Sequence, residues 1–256
     1  MNGLDIPNAV IIAAGLGSRL RPHTNSMPKC MLDFGGKTLL ERQMEAYRSC
    51  GISDISVVRG YLKEKVSYPN ITYFDNRDYE ANNILNSLFY AETKIVGPTI
   101  CGYSDILFDK EIVASLLTSP HDFSIVVDTD WRGYYEGRTE HPLEEAEKVI
   151  FDSDGVVRKI GKGIKDESKL DGEFIGMLKV SAKGANNFKH YFHKAKEMFW
   201  NKPFQKAAVF QKAYITDMIQ EMVDNGVKIH CTLIKKGWKE IDTVEDYNKA
   251  LQAFQE

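Results

Sequence analysis

An apolar run at residues 8–14 ends in Gly15-Leu16-Gly17-Ser18-Arg19, and Pro28-Lys29 follows a short way on. Glycines after a strand let the backbone approach a ligand closely, and N–H groups at a turn or helix start bind phosphate oxygens. Arg19 and Lys29 add the positive charge that a polyphosphate needs. The stretch reads as a phosphate cradle. It is not a dinucleotide fingerprint, because position 20 is Leu where G-x-G-x-x-G requires Gly, and it lacks the G-K-[ST] ending of a P-loop. A tight turn with surface cations accounts equally well for the glycines alone.

The elements that must position this turn alternate. Strands are expected at 8–14, 55–58, 71–74, 99–101 and 123–127, and helices at 39–50, 83–92 and 111–117. From Trp131 the pattern changes to a hairpin across 149–160 and a further strand at 174–180, then helices at 186–199 and 210–225 and a strand at 228–234. A terminal helix follows at 244–254, its N-cap Asp242 or Thr243. The fold class expected is α/β: one domain over 1–256, with a doubly wound, mostly parallel sheet and an antiparallel insertion in its second half.

The stretch from Ile11 to Lys29, with Pro22-His23-Thr24 between the glycines and the lysine, resembles the signature of nucleotidyltransferases. These enzymes join a nucleoside triphosphate to a sugar phosphate, phosphocholine or phosphonate. The likeness extends through Leu32, Gly35, Gly36, Lys37, Gly60-Tyr61, Tyr103-Ser104-Asp105 and Trp238-Lys239-Glu240-Ile241-Asp242. The resemblance implies a Rossmann-like fold with a nucleotide-binding half at 1–130 and an acceptor-binding half at 131–256. It implies that Ala13, Ala14, Gly15, Gly17 and Ser18 wrap the triphosphate, that Arg19 and Lys29 stabilise its charge, and that Asp105 and Asp242 hold Mg2+, with Ser104 on the nucleotide. The chemistry agrees. Displacing pyrophosphate from an α-phosphorus gathers negative charge on oxygens, so the site needs cations, N–H donors and a divalent metal more than a base. Asp242 keeps a second reading as a helix cap in Asp242-Thr243-Val244-Glu245, and Glu240 is an alternative ligand.

Asn82-Asn83 with Ser87-Leu88 resembles the N-N-x-x-S-L element of the phosphocholine and phosphonate branch, which implies cytosine as the base. Amide side chains offer donor and acceptor together, as a base edge requires, and they also cap helices. Trp131, Arg132, Arg138 and His141, and then Lys162 between two glycines, resemble the acceptor-binding stretch of cytidylyltransferases, and Glu173 stands where the sugar branch contacts its sugar. Lys162 is expected beside the attacking oxygen. Trp131, Tyr134, Tyr135 and His141 also permit an aromatic cage for a quaternary ammonium, or the packing of a loop.

Thirty-three Lys+Arg against 36 Asp+Glu leave a net charge of −3, so no global basic field exists for nucleic acid or an anionic membrane. No apolar run approaches the roughly 20 residues of a membrane-spanning helix. Met1-Asn2-Gly3-Leu4-Asp5 has no basic n-region, and cysteines 30, 50, 101 and 231 form no C-x-x-C pair, so a reduced, cytoplasmic protein is expected. The activity expected is Mg2+-dependent transfer of CMP from CTP to a small phosphonate or phosphorylated metabolite, such as 2-aminoethylphosphonate or 2-hydroxyethylphosphonate, by a monomer or homodimer. The alternatives are a phosphocholine cytidylyltransferase, a sugar-1-phosphate uridylyl- or thymidylyltransferase, and a non-catalytic nucleotide-binding regulatory module.

Overall fold

In the computed structural model, which describes residues 6–165 and 170–253, the central sheet runs β10-β6-β9-β4-β1-β2-β3. The strands are β1 (Asn8–Ala13), β2 (Ile55–Arg59), β3 (Thr72–Asp75), β4 (Thr99–Tyr103), β5 (Ile106–Phe108), β6 (Phe123–Asp128), β7 (Lys148–Phe151), β8 (Val157–Gly161), β9 (Gly172–Val180), β10 (His230–Ile234) and β11 (Trp238–Glu240). The helices are α1 (Leu39–Ser49), α2 (Ile84–Leu88), α3 (Lys110–Thr118), α4 (Ala182–Phe199), α5 (Ile215–Asp224) and α6 (Val244–Ala253). The pairs β1–β2, β2–β3, β1–β4 and β6–β10 are parallel; β9 runs against both β4 and β6. The two halves therefore interleave, because a strand of the second half lies between two strands of the first.

Alternation along β1 builds both layers of the core. Val10 and Ile12 face one side, packed with Leu85, Phe188 and Met218, while Ala9, Ile11 and Ala13 face the other with Leu40, Met44 and Val113. Burial on both faces explains why β1 and β6 read as unbroken apolar runs. The antiparallel insertion is β7 with β8 and β9, and the register of β6 against β9 shifts between Ile125 and Val127. Gly176 makes this bend at φ 84°, where a Cβ would stand 2.4 Å from the Tyr103 ring.

Two strands went unforeseen. β5 and β11 pair antiparallel as a three-residue ribbon, too short to show periodicity. Helix limits also moved. The helix expected at 83–92 is a five-residue α2 followed by a 3-10 stretch, and α5 starts only at Ile215, where Asp217 accepts the Tyr214 N–H at 2.8 Å. Ser181 caps α4 four residues ahead of the expectation. Phe254, the expected end of the last helix, and the segment Met1-Asn2-Gly3-Leu4-Asp5 lie outside the described residues. Among those residues, no helix is long and apolar enough to cross a membrane.

Candidate active site

The carboxyl ends of β1 and β4 open onto a cavity of about 440 Å³. In an open α/β sheet this is where ligands bind. Residues 14–17 leave β1 without regular structure, and Gly17 adopts φ 59°, where a Cβ would lie 3.1 Å from the Lys29 Cβ. Glycine thus lets the turn close directly over Lys29, and Thr24 fastens it by donating its hydroxyl to the Gly17 carbonyl at 2.8 Å.

Asp105 occupies the tight turn between β4 and β5. The β5–β11 ribbon brings the far end of the chain to it, for the Ile241 N–H donates to the Asp105 carbonyl at 2.8 Å and Asp242 follows directly. Lys29 Nζ sits between the two carboxylates, 2.9 Å from Asp105 Oδ2 and 2.7 Å from Asp242 Oδ1. Arg19 also pairs with Asp242, and His141 Nδ1 lies 3.2 Å from Asp242 Oδ2. Burial pulls Lys29 down, but Asp105 and Asp242 outweigh it and hold the ammonium above its usual value. Burial likewise pulls Asp242 up, yet Lys29, His141 and Arg19 keep its carboxyl well below the usual carboxylate range. The cap reading of Asp242 is excluded: Thr243 Oγ1 accepts from Asp246 N–H at 3.1 Å, Asp246 Oδ2 accepts from Thr243 N–H at 3.0 Å, and this box starts α6.

Asn82, Asn83, Ser87 and Ser104 all line the cavity. The amides are committed internally, however. Asn82 exchanges two hydrogen bonds with Asn76, at 2.9 and 3.1 Å, and Asn76 also donates to Ser87 Oγ at 2.9 Å. Asn83 caps α2, its Oδ1 accepting the Ile84 N–H at 2.9 Å.

On the acceptor side, Lys162 Nζ pairs with Glu145 Oε2 at 2.9 Å and lies 4.6 Å from the centre of the Tyr214 ring. Glu173 is buried, accepts the Tyr135 hydroxyl on Oε1, and leaves Oε2 buried without a hydrogen bond. Burial holds it well above the usual carboxylate range. Glu147 accepts the Thr216 hydroxyl at 2.7 Å and is pushed up to about 7, chiefly by burial. Sequence reasoning assigned no role to Glu147, Glu145 or Tyr214, all of which line the cavity, as does Tyr135. The signal available was the acidic run Glu144-Glu145-Ala146-Glu147 directly before a strand.

Three expected acceptor residues are corrected. Trp131 is buried beneath the 131–146 segment, edge-on to Tyr135 at 5.8 Å, and packs against Ala146. Arg132 is exposed, its guanidinium 5.1 Å from the Trp131 ring centre, away from the cavity. Arg138 is buried in a two-pronged pair with Asp246, at 2.9 Å through both Nε and Nη2. Its guanidinium lies 4.6 and 4.9 Å from the Tyr134 and Tyr135 ring centres, so these aromatics already hold a cation of the protein's own. Of that stretch, His141 and Tyr135 reach the cavity.

Glu147 makes stability depend on pH. Its folded value exceeds the unfolded one, so the native state holds the proton that the unfolded chain releases, and stability falls as pH rises from about 4.5 to about 7. Glu147→Gln removes this loss. In urea titrations at pH 5 and pH 8 the variant should lose less stability between the two than the parent, by on the order of 3 kcal/mol. Equal losses would contradict the assignment.

Residues 9–168 match the family described as the MobA-like NTP transferase domain. The chain is 28% identical to the CTP:phosphoglutamine cytidylyltransferase of Campylobacter jejuni over 93% of its own length and 97% of the relative's. It is 29% identical to the 2-aminoethylphosphonate cytidylyltransferase of Lancefieldella rimae over 76% of the chain and 77% of that protein. Its fold matches the solved CTP:phosphocholine cytidylyltransferase of Streptococcus pneumoniae with a TM-score of 0.73 at 21% identity, covering 96% and 98% of the two chains.

Proposed function

The chain belongs to the MobA-like NTP transferase family, and from that premise we propose that it transfers CMP from CTP to a small phosphonate or phosphorylated metabolite, releasing pyrophosphate. The observation that carries this reading is the Lys29 ammonium held between Asp105 and Asp242 beneath the glycine turn. Cations and carboxylates interleaved beside the turn that leaves β1 suit the transfer of a metal-bound triphosphate. Cytosine is supported by the relatives that use CTP, both aligned over three quarters of the chain or more.

The donor set fits a hard divalent cation. Asp105 Oδ1 is buried without a hydrogen bond, and nearby His141, Glu240 and Asp242 bring ligand atoms within 4.8 Å of one another, with Lys29 Nζ between Asp242 and Asp105. Asp105, Asp242 and Glu240 would hold Mg2+, which when bound supplies charge neutralisation on the phosphoryl oxygens. The protein supplies the rest. The turn at 14–18 orients the triphosphate, and Arg19 and Lys29 follow the charge that grows on the leaving pyrophosphate. Lys162 stands across the cavity, where it would draw the acceptor oxygen toward the α-phosphorus. That oxygen forms the new P–O bond as the bond to pyrophosphate breaks, in line and without a covalent intermediate.

The acceptor wall narrows the substrate class. Glu145, Glu147, Glu173 and Glu240 line the cavity together with Tyr135, Tyr214 and Phe174, beside the cations Lys162 and Lys212. Such a wall favours an acceptor with an ammonium group beside its phosphate or phosphonate, such as 2-aminoethylphosphonate or an amino-acid phosphate, over 2-hydroxyethylphosphonate. The test is pyrophosphate release with Mg2+, crossing five nucleotides against ammonium-bearing and neutral acceptors and sugar-1-phosphates. Release with CTP and an ammonium-bearing acceptor is expected; release with UTP or dTTP and a sugar phosphate would overturn the proposal.

A further inference from the structure

The segment joining β6 to β7 folds over the start of α6, and its ties converge on Glu240 and Asp242. Arg138, its side chain 1% exposed, holds Asp246 with two hydrogen bonds and reaches Glu240 Oε2 at 3.3 Å. Asp246 Oδ2 in turn accepts the backbone N–H groups of Asp242 at 3.1 Å and Thr243 at 3.0 Å. Tyr134 grips the Glu240 backbone from the same segment: its hydroxyl donates to the Glu240 carbonyl at 2.7 Å and accepts the Glu240 N–H at 3.1 Å. Neither Arg138 nor Tyr134 lines the active-site cavity.

We infer that Arg138 and Tyr134 are positioning residues that fix Glu240 and Asp242 for the metal. Two carboxylates sharing one cation repel each other until it arrives, and burial makes that repulsion stronger. A buried guanidinium that touches one carboxylate and anchors the backbone of the other through Asp246 removes their freedom to separate. The tyrosine hydroxyl does the same for the Glu240 peptide. Ligands so held lose little entropy on binding a cation, and losing such outer partners typically weakens metal binding roughly 10–100-fold. Lysine could not replace Arg138, because only the planar fork spans both Asp246 oxygens and Glu240. The inference rests on the reading that Asp105, Glu240 and Asp242 hold the metal.

The test is Mn2+ binding to the full-length protein without nucleotide, followed by electron paramagnetic resonance of free Mn2+, with a thermal melt of each variant. Asp242→Asn should abolish binding, Arg138→Met should weaken it about tenfold or more, and Tyr134→Phe should weaken it about fivefold. Arg59→Met, which breaks the Arg59–Asp75 pair away from the cavity, should leave it unchanged. Tyr134→Phe keeps the Arg138–Asp246 pair and carries the test if Arg138→Met does not fold. Unaltered Mn2+ affinity in both segment variants, with binding lost in Asp242→Asn, would overturn this inference and leave the metal reading standing. No saturable Mn2+ binding by the parent protein would overturn both.

Discussion

Lys29→Met is expected to lower kcat about 10²–10³-fold, the cost of removing one preorganised charge-stabilising donor, and also to destabilise the protein. The second effect is additional to the role on the triphosphate that the sequence resemblance implies for Lys29. Lys29 is buried between Asp105 and Asp242. Methionine fills the space but leaves two carboxylates facing each other with one cation fewer, and removing a partner from such a buried arrangement costs about 3–5 kcal/mol. Arg19 and His141 remain on Asp242, which puts the expected loss at the low end of that range. The two roles separate with metal. Saturating Mg2+ should restore part of the variant's thermal stability, because a divalent cation relieves the same repulsion, and should restore none of its turnover. Thermal melts and steady-state rates with and without Mg2+ check this; wild-type turnover would contradict the role of Lys29 on the triphosphate.

Asp242→Asn is expected to do more damage, about 10³-fold in kcat/KM. One carboxylate carries several functions here: Oδ1 accepts Lys29, Oδ2 meets Arg19 and His141, and the pair would share the metal with Asp105. The amide preserves shape and the backbone hydrogen bond to Asp246 while removing the charge that keeps both cations in register. Raising Mg2+ should not recover the rate, because the positions of Lys29 and Arg19 are lost along with metal affinity. Full recovery at high Mg2+ would show that Asp242 serves the metal alone.

How much of this site was legible in the sequence follows from how each part is built. The glycine turn, Arg19 and Lys29 lie close together in the chain and end a strand whose apolar run is unmistakable, and Asp105 sits at the next comparable strand end. Glu240 and Asp242 stood in a recognisable motif, but what carries them to Asp105 is a ribbon of three residues per strand. Arg138 shows the opposite failure. An arginine in a polar stretch looks like a ligand cation, and its true partner, Asp246, is 108 residues away. Burial, which turned Arg138 into a brace and pushed Glu147 up to about 7, depends on packing of the 131–146 segment and of α5 that no local pattern encodes.

The most direct test of the central claim is phosphorus NMR of CTP, Mg2+ and 2-aminoethylphosphonate, or an amino-acid phosphate, incubated with the protein. The account predicts that the three triphosphate signals give way to pyrophosphate and to two coupled resonances from a CMP-linked acceptor, with no CMP or inorganic phosphate accumulating. Hydrolysis of CTP without a linked product, or linkage that forms only with UTP or dTTP and a sugar-1-phosphate, would contradict it.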